Sequence, residues 1–236
     1  MNKHLIIISV FLFISAPSYS ADINEYYGVG LCQKPGFQCI TVKNGQSWEK
    51  MFPEEKERDL IQRLNRTDTA LYQGRKIVIP DKPTNLTLFD ISPFPLKIKT
   101  DEKIIIVNQN LLAWGAYNPK GDLVYWGPIS SGKDYCPDVG GSCRTITGIF
   151  YIFDKQGEDC ESNIFPVGRG GSHMPYCMFF HKGYALHGSQ EVHGHRDSHG
   201  CVRIFTKDAK WLNHNFVDVV HGKWDLGTKV VVEKLQ

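Results

Sequence analysis

The stretch from His187 to Arg203 carries the residue types of nucleophilic catalysis. It ends in Ser198-His199-Gly200-Cys201-Val202-Arg203 and begins with a histidine and a glycine. A cysteine attacks carbonyl groups as its thiolate, and an unperturbed thiol, with a pKa of about 8.5, is little ionised at neutral pH. The thiol therefore needs an imidazole to take its proton. Both His187 and His199 are candidates to meet the sulfur of Cys201.

The neighbours of the cysteine suit acyl transfer. Gly200 lets the chain turn sharply and bring backbone N–H groups close to a substrate, as an oxyanion hole requires. Arg203 lies on the same side as Cys201 if the segment is extended, and its planar fork could hold a substrate carboxylate. Ser198 could orient an imidazole. Gly188 and Ser189, which follow the first histidine, are assigned with Arg203 to substrate binding.

Cys201 is the odd member of a set of seven cysteines. The other six fall into sequence-near pairs, namely Cys32 with Cys39, Cys136 with Cys143, and Cys160 with Cys177. Several connectivities remain open. An unpaired cysteine in a secreted protein is either an intermolecular link or a reactive group.

The first twenty residues predict export. Lys3 precedes an apolar run over 5–14, and small residues follow up to Ser20, which is the pattern of a secretory signal peptide over 1–20. The run is shorter than the roughly 20 apolar residues that span a bilayer, so we expect no stable membrane insertion; an uncleaved anchor is the alternative. Periplasm, cell envelope and cell surface all remain open.

The overall charge excludes some partners. With 27 basic and 25 acidic residues, the formal net charge of the 236-residue chain is +2. This balance gives no electrostatic argument for nucleic acid or for an anionic lipid surface.

The elements that would position the cysteine begin near residue 97. Many short apolar strands follow at close spacing over 97–236, interrupted by a helix after Thr206. This pattern predicts a mainly β domain, a β-sandwich or barrel with one or more helices. Residues 81–96 contain three prolines and are predicted to form an extended linker.

Residues 21–80 are predicted to form a separate small α+β module with its core at about 40–80. Its order of elements is strand, helix, helix, strand (βααβ). The motifs Val42-x-x-Gly45-x-x-Trp48, Asn65-Arg66 and Leu71-x-x-Gly74-Arg75-x-Ile77-x-Ile79-Pro80 resemble a LysM domain. That resemblance implies binding of glycans that contain N-acetylglucosamine; the alternative is a packing domain without a ligand.

The segment with the cysteine resembles the L,D-transpeptidases, the YkuD-like family. The resemblance rests on His187-Gly188, on Ser198-His199-Gly200-Cys201-Val202-Arg203, and on three further segments, 130–133, 145–150 and 227–230. It implies Cys201 as nucleophile, His187 as general base, a supporting shell of Ser198, His199, Gly200 and Arg203, and covalent inhibition by carbapenems. The interval from His187 to Ser198 is shorter than in many members. The cysteine-bearing insertions are also outside the general pattern.

The resemblance also implies a peptidoglycan substrate. Cys201 would form a thioester with a tetrapeptide stem and pass it to an acceptor. The acceptor stays open: a diaminopimelate side chain gives a 3–3 cross-link, water makes the enzyme an L,D-carboxypeptidase, and a lipoprotein lysine makes it an anchoring enzyme. No cofactor is expected. The alternative outside catalysis is a protein that only binds peptidoglycan or interacts at the surface.

Two further interpretations compete. A zinc site could draw on five side chains, those of His187, His193, His195, His199 and Cys201. Their spacing lacks the paired Cys-x-x-Cys or His-x-x-x-His of recognised zinc sites, so we predict no metal. A papain-like peptidase usually places its cysteine before its histidine, whereas here His187 precedes Cys201.

Overall fold

The computed structural model describes residues 27–82, 86–162, 173–222 and 226–236. The predicted signal peptide, 1–20, lies outside the described residues. Within these ranges, no helix has both the length and the apolar character needed to cross a membrane.

The N-terminal module, residues 27–82, is a small two-layer unit. It contains a 3₁₀ helix and four further elements: Tyr27–Leu31, β1 (Phe37–Thr41), α1 (Trp48–Met51), α2 (Glu55–Leu64) and β2 (Lys76–Pro80). Strands β1 and β2 pair antiparallel. Ser47 caps α1, and acidic residues occupy the first turn of α2, where they favour a helix N-terminus. Its assignment as a LysM-like domain stays a prediction.

The rest of the chain is mainly β. It contains β3 (Ile104–Asn108), β4 (Ala113–Tyr117), β5 (Leu123–Ser130), β6 (Gly148–Tyr151), β7 (Asp154–Lys155), β8 (Met178–His181), β9 (Tyr184–Ser189), β10 (Val202–Phe205), α3 (Thr206–Trp211), a π-helical turn (Leu212–Phe216) and β11 (Lys229–Val232). The sheet order is β6-β11-β3-β4-β5-β10-β9-β8-β7. Because β6 and β7 are neighbours in the chain but lie at opposite ends of this order, the sheet curls on itself.

The curl encloses the main hydrophobic core. Alternate residues of β3 are buried, as expected for a strand with one face on a core. Ile105 and Val107 of this strand pack in one cluster with Trp114 of β4, Leu186 of β9 and Val202 of β10. The prediction of a mainly β domain with few helices is confirmed.

Residues 86–96, in the predicted linker, pack against the sheet. Phe94 is buried in a cluster with Tyr117 and Trp126. The Trp126 indole N–H donates to the Leu88 carbonyl at 2.6 Å, and the Tyr117 hydroxyl donates to the Pro95 carbonyl at 2.8 Å. This part of the segment is therefore fixed to the β domain.

Buried arginines of the N-terminal module join it to the β domain. Arg63 of α2 has no exposed side-chain surface and donates to both carboxylate oxygens of Asp208 in α3, at 2.8 and 2.7 Å. It also donates to the Trp126 carbonyl at 2.9 Å. Arg66 donates to the Leu111 carbonyl at 2.9 Å. The two halves thus share a buried ion pair.

Breaking the pair from one side is expected to be costly. Asp208→Asn should lower the free energy of unfolding by about 3–5 kcal/mol, because the guanidinium of Arg63 then loses its fully buried counter-charge and keeps only the partly exposed carboxylate of Asp59, 2.9 Å away. The control is Lys97→Met, which removes an ion pair with Asp122 whose side chains are 69% and 46% exposed; it should cost no more than about 1 kcal/mol. Urea denaturation measures the free energy of unfolding of both variants. Equal losses in the two would contradict the assignment of a stabilising buried ion pair to Arg63 and Asp208.

Candidate active site

The site is built on the parallel pairing of β9 and β10. In its register His187 lies opposite Arg203, and Val202 lies opposite Leu186. Directly paired residues point to the same face of a sheet. Cys201 immediately precedes β10 and, two residues before Arg203, continues the row that faces His187.

Cys201 is the free cysteine of the chain, since the other six form the disulfides Cys32–Cys39, Cys136–Cys143 and Cys160–Cys177. Its side chain packs against a buried cluster that contains the Cys160–Cys177 disulfide, Met174 and Ala185. The thiol donates to the Gly183 carbonyl at 3.5 Å. Burial raises the pKa of Cys201, although the Ala185 backbone and Arg203 act in the opposite direction. The resting group is therefore a neutral thiol.

His187 is buried and neutral. Burial, with a smaller contribution from the charge of Arg203, lowers its pKa to about 4, although the hydrogen bond with the Gly188 carbonyl acts in the opposite direction. Nδ1 lies 2.9 Å from the Gly188 carbonyl oxygen. A carbonyl only accepts hydrogen bonds, so we assign the proton to Nδ1, which leaves Nε2 able to accept one. Above about pH 4 this imidazole is therefore uncharged.

Residues 198–201, the nucleophile loop, are shaped by Ser198. Its hydroxyl donates to the Cys201 carbonyl at 2.5 Å and accepts from the Gly200 N–H at 3.1 Å. Ser198 thus bonds the backbone of its own loop, whereas the sequence suggested that it orients an imidazole. Gly200 has φ +123°, and a Cβ at this position would lie 3.0 Å from the ring of Tyr184. Both observations require glycine here.

Thr145 braces the nucleophile loop from a neighbouring segment. Its hydroxyl donates to the Gly200 carbonyl at 2.7 Å and accepts from the Gly132 N–H at 2.8 Å. The Lys133 N–H donates to the Ser198 carbonyl at 3.0 Å. The Cys136–Cys143 disulfide closes the loop between these two contact points. Sequence reasoning gave Thr145 no separate role; its signal was its place in the family-like segment 145–150.

His199 and Arg203 are each held by carboxylates. His199 Nε2 lies 2.7 Å from Asp138, on the loop that the Cys136–Cys143 disulfide closes. Arg203 Nη1 lies 3.0 Å from Glu191 and 3.9 Å from Asp197. A substrate carboxylate that binds Arg203 therefore has to compete with Glu191, which the sequence did not indicate.

Gly188 and Ser189 lie at the end of β9. The Gly188 N–H donates to the Pro175 carbonyl at 2.7 Å, and a Cβ at Gly188 would lie 3.0 Å from the Cα of Thr206. The Ser189 hydroxyl accepts from the Glu191 N–H at 3.0 Å. These contacts fix the strand end and the start of the following loop, and assign neither residue to a substrate.

A cavity of about 430 Å³ lies beside Thr145 and Tyr184. Thr145 and Tyr184, which both touch Gly200, form part of its wall, and two cationic residues, Arg144 and Lys234, also line it. Its remaining lining residues are Gln109, Ile146, Thr147 and Leu235. The cavity offers space and positive charge beside Thr145 and Tyr184, and no residue of the nucleophile loop lines it.

The family model for the YkuD L,D-transpeptidase catalytic domain matches residues 102–232. Among solved structures, the chain is similar to the L,D-transpeptidase from Xylanimonas cellulosilytica, with 22% identity, coverage of 74% of this chain and 78% of that chain, and a TM-score of 0.48. It is also similar to L,D-transpeptidase 3 from Mycobacterium tuberculosis, with 17% identity, coverage of 56% of this chain and 61% of that chain, and a TM-score of 0.43. For the Enterococcus faecium L,D-transpeptidase the identity is 23%, the coverage is 57% of this chain and 50% of that chain, and the TM-score is 0.42.

No curated protein matches the chain at the significance required.

The charge states of the Cys201 thiol and the His187 imidazole predict how the thiol reacts with an alkylating agent. The rate of alkylation of Cys201 by iodoacetamide should rise only at alkaline pH, with an apparent pKa above about 8.5, because burial raises the pKa of the thiol and His187 is not protonated near neutrality. Under non-reducing conditions the other cysteines are disulfide-bonded, so the label reports Cys201. Peptide mass spectrometry measures the rate at each pH. A plateau of fast reaction between about pH 5 and pH 8 would indicate a preformed thiolate–imidazolium pair instead.

Proposed function

Because the chain belongs to the family of YkuD L,D-transpeptidase catalytic domains, we propose that it is a peptidoglycan acyltransferase with Cys201 as nucleophile and His187 as general base. The observation that supports this proposal is the β9–β10 register, which pairs the buried His187 with Arg203 and leaves the free Cys201 two residues before Arg203, at the start of the neighbouring strand. A general base must be uncharged at the working pH in order to accept a proton, and His187 meets this condition.

The proposed reaction begins with a neutral pair. As the sulfur of Cys201 attacks the carbonyl of the L-centre in the L,D peptide bond of a tetrapeptide stem, Nε2 of His187 takes the thiol proton. A C–S bond forms and the carbonyl oxygen becomes an oxyanion, stabilised by backbone N–H groups of the nucleophile loop. The C–N bond then breaks, and D-alanine leaves with the proton from His187. The thioester that remains is the acyl donor.

In the second half the acceptor, an amine or water, attacks the thioester. Its proton passes to His187 and returns to the sulfur as the C–S bond breaks, which restores the resting thiol. The open acceptors are a diaminopimelate side chain, water and a lipoprotein lysine. The first gives a 3–3 cross-link in cell wall biogenesis or remodelling.

The cavity beside Thr145 and Tyr184 supports a peptide substrate. Peptidoglycan stems carry free carboxylates, and the cavity wall contains the cations of Lys234 and of Arg144, the latter paired with Asp134 at 2.8 Å. Arg203 is the second carboxylate-binding candidate, once Glu191 is displaced. In this proposal His199 and Ser198 keep the nucleophile loop in shape, and no cofactor takes part.

The disulfides and the N-terminal module indicate where the protein would act and what it would bind. Three disulfides fit an oxidising compartment, which supports export to the periplasm or cell envelope. We propose that the LysM-like module binds the glycan strand while the β domain acts on the peptide stem. A protein that only binds peptidoglycan remains the second candidate because the module alone would account for it.

The test is mass spectrometry of muropeptides from diaminopimelate-type peptidoglycan incubated with the mature chain and, in parallel, with Cys201→Ala. Dimers with 3–3 links that depend on Cys201 would establish transpeptidation. Tripeptides without dimers would identify the carboxypeptidase. If both proteins sediment with the wall and neither changes the muropeptides, the acyltransferase proposal fails and the binding function takes its place.

A further inference from the structure

The loop 190–197, between β9 and the nucleophile loop, brings together three side chains of types that can ligate a metal, none of which has a role in the proposed acyl transfer. One ligand atom each from His193, His195 and Asp197 lies within 4.8 Å of the other two. His193 Nδ1 lies 3.1 Å from Asp197 Oδ2. The two imidazole rings are stacked, with centroids 5.6 Å apart and planes 19° from parallel.

Another described group of such donors, Cys136, Cys143 and His199, is different in kind. Its two cysteines form a disulfide, so their sulfur atoms are not thiolate ligands. In the described parts of the chain the cluster on loop 190–197 is therefore the better candidate. The catalytic pair, His187 and Cys201, is not in it.

The backbone under the three donors is held by the rest of the fold. The His193 carbonyl accepts from Arg75 at 3.3 Å and the Gly194 carbonyl accepts from the Tyr27 N–H at 3.3 Å. The His195 carbonyl accepts from the Ser130 hydroxyl at 2.7 Å, and the Asp197 N–H donates to the Ser131 carbonyl at 2.9 Å. Contacts from the N-terminal module and from the end of β5 thus preorganise the loop, which reduces the ordering cost of binding an ion.

His193 and Asp197 lie close together, but no hydrogen bond joins them. The Nδ1 atom of His193 is buried, and despite its 3.1 Å distance from the carboxylate it makes no hydrogen bond of acceptable geometry. A shared metal ion would satisfy both atoms. With metal–ligand bonds of about 2.0–2.2 Å in a tetrahedral site, neighbouring ligand atoms lie roughly 3.3 Å apart, close to the separation seen here.

We propose that His193, His195 and Asp197 form a binding site for a borderline divalent transition-metal ion such as Zn²⁺, with a remaining position open to water. Two imidazole nitrogens and one carboxylate favour such an ion over Mg²⁺ or Ca²⁺, which prefer oxygen ligands. The neighbouring guanidinium of Arg203 is closer to Glu191, at 3.0 Å, than to Asp197, at 3.9 Å. Glu191 therefore offsets that charge and leaves the Asp197 carboxylate for the metal.

The proposed ion would connect the loop to the acyl-transfer site without taking part in its chemistry. Asp197 precedes Ser198 of the nucleophile loop and also lies near Arg203. The prediction of no metal from sequence considered a different ligand set, which included the catalytic cysteine and histidine and omitted Asp197. The proposal goes beyond acyl transfer and does not depend on it.

The test is a Co²⁺ titration of the chelator-treated mature chain that carries Cys201→Ala, followed by visible absorption and by displacement with Zn²⁺. We expect saturable binding of a single Co²⁺ per chain, with ligand-field bands and no sulfur-to-metal charge transfer. Asp197→Asn and His195→Ala, each in the same background, should weaken binding about tenfold or more because each removes a ligand. The matched control is His173→Ala, which changes an exposed histidine outside the loop.

Near-ultraviolet circular dichroism checks that each variant is folded; if His195→Ala is not, the nearly isosteric Asp197→Asn decides. Absence of saturable binding would overturn the proposal, and so would equal affinity in Asp197→Asn and in the parent. Co²⁺ binding in a parallel titration of the chain with Cys201 intact, together with no binding by the Cys201→Ala parent, would place the metal at the thiol of Cys201 and would also overturn it. Because the parent protein lacks Cys201, none of these results depends on acyltransferase activity.

Discussion

The parallel pairing of β9 with β10 is the constraint on which the candidate site depends. It sets His187 opposite Arg203, and Cys201 at the entry of the neighbouring strand. A shift of the register by one residue would turn every side chain of one strand to the other face. The register is held by fully buried side chains, Leu186 on one strand and Val202 and Ile204 on the other, and by the antiparallel pairing of β10 with β5. The core of the curled sheet thus determines which atoms meet at the site.

The same burial sets the chemistry. Removing the thiol and the imidazole from water disfavours the charged form of each, so burial raises the pKa of Cys201 and lowers that of His187. Both groups are therefore uncharged near neutral pH, and in our proposal proton transfer accompanies attack on the carbonyl rather than preceding it. Hydrogen bonds from Thr145 and Ser198 meanwhile hold the backbone around Gly200. Rigid backbone and uncharged partners are thus two results of one packed environment.

The N-terminal module contributes to this environment. Arg63 reaches Asp208 of α3, whose N-terminus directly follows β10, while Tyr27 and Arg75 bond the backbone of loop 190–197. The loop that borders Arg203 is therefore shaped partly by residues that precede the β domain in sequence. In our proposal this arrangement would give a glycan held by the module a defined position relative to the peptide stem.

The sequence predicted what depends on local pattern. The motif around Cys201, the alternation of the strands and the sequence-near cysteine pairs are all short-range signals. Contacts between residues that are distant in sequence could not be predicted. Arg63 and Asp208 are 145 residues apart, and no motif near either residue indicates its partner.

Composition can also indicate a conformation without its packing. The prolines of 81–96 suggested an extended segment but not that Phe94 would be buried against Trp126. The side chain of Arg203 suggested a binding site for a substrate carboxylate, yet in the structure its guanidinium forms an ion pair with Glu191. In both places tertiary packing, rather than local preference, decides the outcome.

The most direct test of the account is the intact mass of the mature protein, quenched in acid shortly after mixing with a disaccharide tetrapeptide. The account predicts a mass increase equal to the substrate less its terminal D-alanine, located on the peptide with Cys201 and removed by hydroxylamine, as a thioester would be. His187→Gln should form the same adduct much more slowly. An unmodified Cys201 under conditions in which the wild-type protein changes the muropeptides, or an adduct on another residue, would contradict it.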